Sequence, residues 1–251
     1  MMPLENTLER VCRVCFGIFS RNEITVLNYT PKNKYNIDKN RQEVTRMKKQ
    51  VVTISREYGS GGREIGRMLA ESMGVPFYDR EKIDELTSGK GYSKEVLDKA
   101  EMKAKNSFLY NLTTALGGSG IEGSGIDGLS LNEKVFLAQF DTIKKLASEG
   151  PCVIVGRCAD YVLRDIPEAT NIFIYAEPED RIERAINEYG VSPEEAKGWI
   201  AICDKARANY YNHHTGRRWG EAVNYHMSID SGYISRENIV RLIEEYIELR
   251  K

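Results

Sequence analysis

The sequence predicts an α/β fold built on a parallel five-stranded sheet with helices on both faces. Three observations predict it. Short, continuous, β-rich apolar runs recur from Met47 onward, stretches with helical apolar spacing lie between them, and a Gly-rich turn joins the first run directly to a helix. Buried parallel strands read as such runs rather than as strict alternation, and they need helical crossovers.

The first run, Val51–Ser55, enters a turn carrying Gly59, Gly61 and Gly62, and a helix follows with Ile65, Leu69 and Met73 on one stripe. Strand, Gly-rich loop and helix N-terminus together make a phosphate cradle, because freed backbone N–H groups and the positive end of the helix converge on an anion. The second run is Val75–Tyr78. Helical stretches over Lys94–Leu116 and Leu131–Ser148 flank Gly117–Gly128, which holds six glycines in twelve positions and reads either as a linker or as a mobile flap. The third and fourth runs are Cys152–Gly156 and Asn171–Ala176. Ser192-Pro193-Glu194-Glu195 has the features of a helix start: a capping serine, proline at the first position and glutamate three residues after the cap. The fifth run, Tyr225–Asp230, follows a helix and an Arg-rich loop. The last helix starts near Ser235, with Ile239, Leu242, Ile243, Tyr246 and Ile247 on its core face.

Residues 1–46 differ from the rest. Polar clusters alternate with weak apolar scraps, and the segment is read either as a disordered arm or as sequence upstream of a start at Met47. The organisation is therefore an extension over 1–46 and one domain over 47–251.

Composition excludes several classes. The chain carries 36 Lys/Arg and 37 Asp/Glu, so no global nucleic-acid signature exists, although the first fifty residues are locally basic. No apolar run approaches the ~18–20 residues that span a membrane, and Val11–Phe19 is too short and wrongly flanked for a signal peptide. Five scattered cysteines argue against a disulfide framework and fit a reducing, cytoplasmic setting. Cys12-x-x-Cys15 has no second pair at matching spacing, so chance or burial is favoured over a zinc or redox site. The oligomeric state is not legible.

Three constellations carry chemistry. The Gly-rich loop departs from the usual G-x-x-x-x-G-K-[ST] pattern, since Gly61-Gly62-Arg63-Glu64 offers neither lysine nor hydroxyl. As a dinucleotide site it lacks the third glycine, although Asp79 lies where a ribose-binding acid belongs. A phosphate loop of another sort fits better, and a purely structural turn stays open. In Cys152–Asp160 a buried strand ends in Gly156-Arg157, placing a guanidinium at the carboxyl edge of the sheet, where α/β ligands bind. In the third, Asp204 and Arg207 are neighbours on one helix face, and Arg217 and Arg218 follow Gly216 in a loop suited to a lid over phosphates. His213-His214 lacks a partner spaced for a metal.

The motifs ISREYGSGGREIG, FYDRE, CVIVGRCADYVLRD, FIYAEPEDRIERA, DKARANYY and NYHMSIDSG resemble, in order and spacing, the cytidylate kinase-like family of P-loop nucleoside monophosphate kinase relatives. The resemblance covers most of residues 47–235. It implies a three-layer P-loop kinase-like fold with an Arg-bearing lid, and transfer of the γ-phosphoryl of ATP, with Mg²⁺, to a pyrimidine nucleoside monophosphate or similar phosphorylated acceptor.

Carried over by position, the resemblance places Arg56, Gly59, Ser60, Gly61, Gly62, Arg63 and Glu64 at the ATP site. It places Asp79, Arg157, Asp204, Arg207, Arg217 and Arg218 at the acceptor site. Arg63, Arg157 and Arg207 are the expected catalytic cations. The departures fall in the loop, where the kinase lysine corresponds to Gly62 and the Mg²⁺-holding threonine to Glu64. The acid before the Gly-Arg pair corresponds to Val155, and the acceptor-segment arginine to the neighbourhood of Glu85. Arg63, one position past the lysine, is expected to reach the β- and γ-phosphates, and Glu64 to hold Mg²⁺ directly. The rival reading is a kinase-derived regulatory protein that binds a nucleotide or anion without turnover.

Overall fold

The computed structural model describes residues 50–88 and 130–250, all within the unit Ile37–Lys251. The extension 1–46, the Cys12–Cys15 pair, the stretch Lys94–Leu116 and the Gly-rich segment Gly117–Gly128 lie outside the described residues.

The five strands are β1 (Val51–Arg56), β2 (Phe77–Tyr78), β3 (Cys152–Val155), β4 (Ala169–Tyr175) and β5 (Met227–Asp230). They form one sheet in the order β2-β3-β1-β4-β5, every pairing parallel. The predicted second and fifth strands are longer than the observed ones. Beyond Phe77 the edge strand β2 keeps only the Pro76 carbonyl in contact with the sheet, accepting from the Val153 N–H. Tyr225 follows a short 3₁₀ turn at Ala222–Asn224, and ladder pairing begins at Met227.

Helices cover both faces: α1 (Gly62–Met73), α2 (Arg80–Ser88), α3 (Leu131–Glu149), α4 (Ala159–Val162), α5 (Pro178–Asn187), α6 (Pro193–Thr215) and α7 (Arg236–Leu249). Side chains alternate across the sheet. Val52, Ile54, Val153, Val155, Ile172 and Ile174 pack under α1 and α7, where Ile65, Leu69, Ile239, Ile243 and Ile247 are buried. Val51, Cys152, Ile154 and Ala169 face the other way, with Ile83 of α2, Ile143 of α3 and Val162 of α4. On that second face the buried Thr53 hydroxyl donates to the Asn171 side-chain oxygen at 2.8 Å, so neither polar group is left unsatisfied.

Helix ends follow local chemistry. Ser130 and Glu133 form a reciprocal capping box on α3, a signal the sequence reading passed over. The last helix begins beside Ser235 as expected, and the Ser235 hydroxyl accepts from the Asn238 N–H at the start of α7. At α6 the expected serine cap is only partly made: the Ser192 hydroxyl bonds the Glu195 carboxylate at 3.0 Å instead of a backbone N–H. Leu242, expected in the core, is 39% exposed, because α7 buries the narrower stripe Ile239, Val240, Ile243 and Ile247.

Among the described residues no helix is long and apolar enough to cross a membrane, and Cys152 and Cys158 are buried free thiols.

Candidate functional site

The site forms at the carboxyl ends of β1 and β3, where the loop into α1 and the turn into α4 face each other. The Gly-rich loop turns through left-handed conformations at Gly59 (φ 81°) and Gly61 (φ 74°). Its carbonyls are bound from outside. The Tyr58 carbonyl accepts from Arg181 at 3.4 Å, the Gly59 carbonyl from Arg184 at 3.2 Å, and the Ser60 carbonyl from the Ser231 hydroxyl at 2.6 Å. With carbonyls turned outward, the N–H groups opening α1 have no intrahelical acceptor and remain for an anion.

Asp204 supports this loop from below. One carboxylate oxygen accepts the Tyr58 N–H at 2.7 Å, and the other lies 2.5 Å from Arg181 Nη1. Arg207, one turn along α6, sits 3.5 Å from Asp204 and donates to the Arg56 carbonyl at 3.2 Å. Burial lowers the Arg207 pKa, partly offset by Asp204.

At the opposite wall, Gly156, Arg157 and Cys158 have φ of 85°, 55° and 56°. Two consecutive non-glycine residues in the left-handed region are costly, and such strain persists where the surroundings impose it. Here the turn aims Arg157 at Asp84, 2.5 Å away. Asp84 also accepts from the Gln139 side chain at 2.9 Å, and Gln139 accepts from the Tyr210 hydroxyl at 2.7 Å. The chain Arg157–Asp84–Gln139–Tyr210 ties α2, α3 and α6 together around the acceptor side.

Two cavities open here. The first, about 180 Å³, is walled by the loop glycines, Arg63, Glu64 and Tyr189. The second, about 290 Å³, lies along the sheet edge and is lined by Arg80, Arg157, Trp199, Tyr210, Tyr211 and Trp219 among others. Arg56, Tyr58 and Arg207 line both. One set of side chains is thus the common wall of a loop-side and a sheet-edge compartment.

The other expected site residues are distributed as follows. Ser60 is buried within the loop, its hydroxyl donating to the Glu57 carbonyl at 2.9 Å. Glu64 accepts from the Tyr189 hydroxyl at 3.1 Å. Arg63 turns toward β2, donating to Asp79 at 2.9 and 2.6 Å from Nε and Nη2. Asp79 in turn caps α2 by accepting the Lys82 N–H at 3.0 Å. Burial works against the Asp79 carboxylate, but the Lys82 N–H and Arg63 hold its pKa below the usual range. Arg217 lies over the Tyr161 ring at 5.3 Å, Arg218 is exposed, and neither lines either of these two cavities.

Sequence reasoning missed Arg181, Arg184 and Ser231, which bind the loop, and Asp84, Gln139 and Trp199, which line or brace the acceptor side. The Arg181–Arg184 spacing inside FIYAEPEDRIERA is the signal that was available.

The chain is similar to several solved structures. An uncharacterized protein from Eubacterium ventriosum superposes with a TM-score of 0.61 at 25% identity, covering 80% of this chain and 99% of its own. A shikimate kinase from Acinetobacter baumannii matches with a TM-score of 0.47 at 14% identity, covering 83% of this chain and 98% of that one. A gluconokinase from Sinorhizobium meliloti matches with a TM-score of 0.45 at 14% identity, covering 81% and 94%. Comparison with curated protein sequences gives no match. The sequence model of the cytidylate kinase-like family matches residues 51–233, and with a three-layer parallel sheet and a loop-and-edge site in place, this chain belongs to the cytidylate kinase-like family.

Proposed function

We propose that this protein is an ATP-dependent phosphotransferase that moves the γ-phosphoryl of ATP to a phosphorylated small-molecule acceptor, nominally a pyrimidine nucleoside monophosphate. One observation carries the reading: the loop-side and sheet-edge cavities share Arg56, Tyr58 and Arg207. A donor in the first and an acceptor in the second would meet at a guanidinium-lined boundary, and phosphoryl transfer is mainly positioning and charge stabilisation.

The residues suit those roles. The loop N–H groups and the α1 N-terminus take donor phosphates. Arg157 and Arg80, both on the acceptor cavity, suit an acceptor phosphate, which competes with Asp84 for Arg157. Trp199, Tyr210 and Tyr211 offer flat apolar surface to a base. An acceptor phosphate is ionised at neutral pH, so no general base is required. The bond from its oxygen to the γ-phosphorus forms as the bond to the β–γ bridging oxygen breaks, and ADP leaves with that electron pair.

Mg²⁺ fits the loop-side cavity. It is held by one or two carboxylates together with substrate phosphates rather than by a dedicated cluster, and Glu64 is the carboxylate in the first turn of α1. Bound there, the ion would neutralise phosphate charge.

The test is a phosphotransfer screen with ATP, with and without Mg²⁺, across nucleoside monophosphates and other phosphorylated acceptors. ADP formation that depends on one acceptor class is expected. Tight nucleotide binding with no turnover on any acceptor would replace this reading with that of a sensor.

A further inference from the structure

Position 62 corresponds to the lysine of the ordinary phosphate loop, and here it is glycine. The space beside it is taken by Arg56. A Cβ on Gly62 would meet Arg56 Cβ at 2.6 Å and Cγ at 3.0 Å. At the far end, a Cβ on Gly156 would collide with Arg56 Nη1 and lie 3.4 Å from its Cζ. The Arg56 side chain therefore runs from the loop, past the end of β1, to the turn after β3. Glycine at 62 and at 156 is the clearance that lets it do so.

Its charge faces more cations than anions among the described residues. Among the described residues nothing makes a hydrogen bond or ion pair with the Arg56 guanidinium. Burial, then Arg207 and Arg157, lower its pKa to about 9, with only Asp79 acting in the other direction. An arginine at that value is still cationic at neutral pH, and a cation held in a ring of like charge favours an anion between them. Arg63, the expected substitute for the lysine, is engaged by Asp79 at 2.6 Å and faces Glu81 at 3.5 Å.

We propose that Arg56 is the catalytic cation of this site, replacing the phosphate-loop lysine from the strand side and bridging the transferring phosphoryl and the acceptor phosphate. This rests on the phosphotransferase reading above. As the γ-phosphorus passes from the ADP oxygen to the acceptor oxygen, charge is carried on the transferring group at the boundary of the two cavities. Arg56 is a member of that boundary.

The test uses the full chain and compares wild type with Arg56→Ala, Arg56→Lys, Arg63→Ala and the double variant Arg56→Gly/Gly62→Lys. Arg56→Ala is expected to lower kcat by ~10²–10³-fold, the usual loss for one preorganised charge-stabilising donor. Arg56→Lys should retain part of the rate. The double variant, which restores the ordinary loop's cation, should recover activity over Arg56→Ala. Arg63→Ala should change kcat far less. Thermal melting separates function from folding: removing a cation from a like-charged cluster should leave Tm unchanged or raised, whereas a structural role would lower it. Retention of kcat within about tenfold in Arg56→Ala, or the larger loss in Arg63→Ala, overturns the proposal. If wild type binds ATP but transfers to no acceptor, the phosphotransferase reading fails and calorimetric ATP affinity decides for Arg56. Weakening in Arg56→Ala but not in Arg63→Ala upholds its role as phosphate clamp, and equal affinities overturn it. If wild type binds no ATP, both fall.

Discussion

The Arg157 guanidinium and the Asp84 carboxylate lie 2.5 Å apart, with side chains only 7% and 16% exposed. This pair joins the strained turn after β3 to α2, and through Gln139 and Tyr210 to α3 and α6. Asp84→Ala removes this carboxylate from Arg157. Breaking one side of a buried pair costs about 3–5 kcal/mol, and this site opens on a cavity, so the low end of that range is expected. Chemical denaturation would measure it. Inorganic phosphate should then recover more stability in the variant than in wild type, because the anion no longer competes with Asp84 for the guanidinium. Equal stabilisation of both proteins by phosphate would rule out Arg157 as an acceptor-phosphate group.

Asp204 makes a separable prediction. Family resemblance assigns it to acceptor ribose, yet its two oxygens contact the Tyr58 N–H and Arg181, so it also supports the donor loop. Asp204→Ala should therefore weaken ATP binding by at least the ~1–3 kcal/mol of an unmet buried donor, about 5- to 150-fold, along with any effect on the acceptor. Isothermal calorimetry with ATP alone reads this. A variant with normal ATP affinity and a raised acceptor KM would confine Asp204 to the acceptor side.

The frame of the fold was legible because its signals are local. Val51–Ser55, the Ile65–Leu69–Met73 stripe and the helix start near Ser235 each sit within one element and declare themselves by period or residue type. What the sequence concealed depends on distant elements meeting. Arg181 reaches Asp204 only because α5 and α6 pack together, and Arg157 reaches Asp84 only because α2 and the turn after β3 meet in the fold. Arg63 shows the same limit from the other side. Its position at the head of α1 pointed toward phosphates, but Asp79, sixteen residues on, turns it toward β2. Gly62 read as an absence until Arg56 was seen beside it.

The Arg63–Asp79 pair predicts how acid affects stability. The folded Asp79 pKa is depressed below 3.8, with the Lys82 N–H and Arg63 overcoming burial. The unfolded chain therefore takes up this proton first, and the stabilisation is fully present only above the unfolded value. It is lost as pH falls through the folded one. Asp79→Asn should lower stability at pH 7 and remove this part of the acid dependence. Urea denaturation from pH 6 to pH 2.5 would test it. A variant with wild-type slope across that range would exclude Asp79 as a contributor.

His214 titrates with the opposite chemistry and the same direction. Its ring stacks on Phe136 at 4.1 Å with planes 8° apart, and it meets the Tyr210 ring edge-on at 4.6 Å. Burial, and then neighbouring His213, lower its pKa to about 4. Protonation is thus favoured in the unfolded chain, where imidazole titrates near 6.5, and disfavoured in the fold. Between those values the unfolded state binds more protons, so stability should fall as pH drops from about 6.5 toward 4. His214→Phe keeps the stacked geometry without the titrating nitrogen and should flatten the curve across this window. Denaturation midpoints at pH 7, 5.5 and 4.5 would show it. In the folded protein His214 stays neutral above about pH 4, so although it contacts Tyr210, which lines the acceptor cavity, acceptor KM should follow the same pH profile in wild type and His214→Phe over this interval. A KM profile that differs between the two proteins above about pH 4 would show that His214 takes up its proton in the fold and acts on the acceptor cavity.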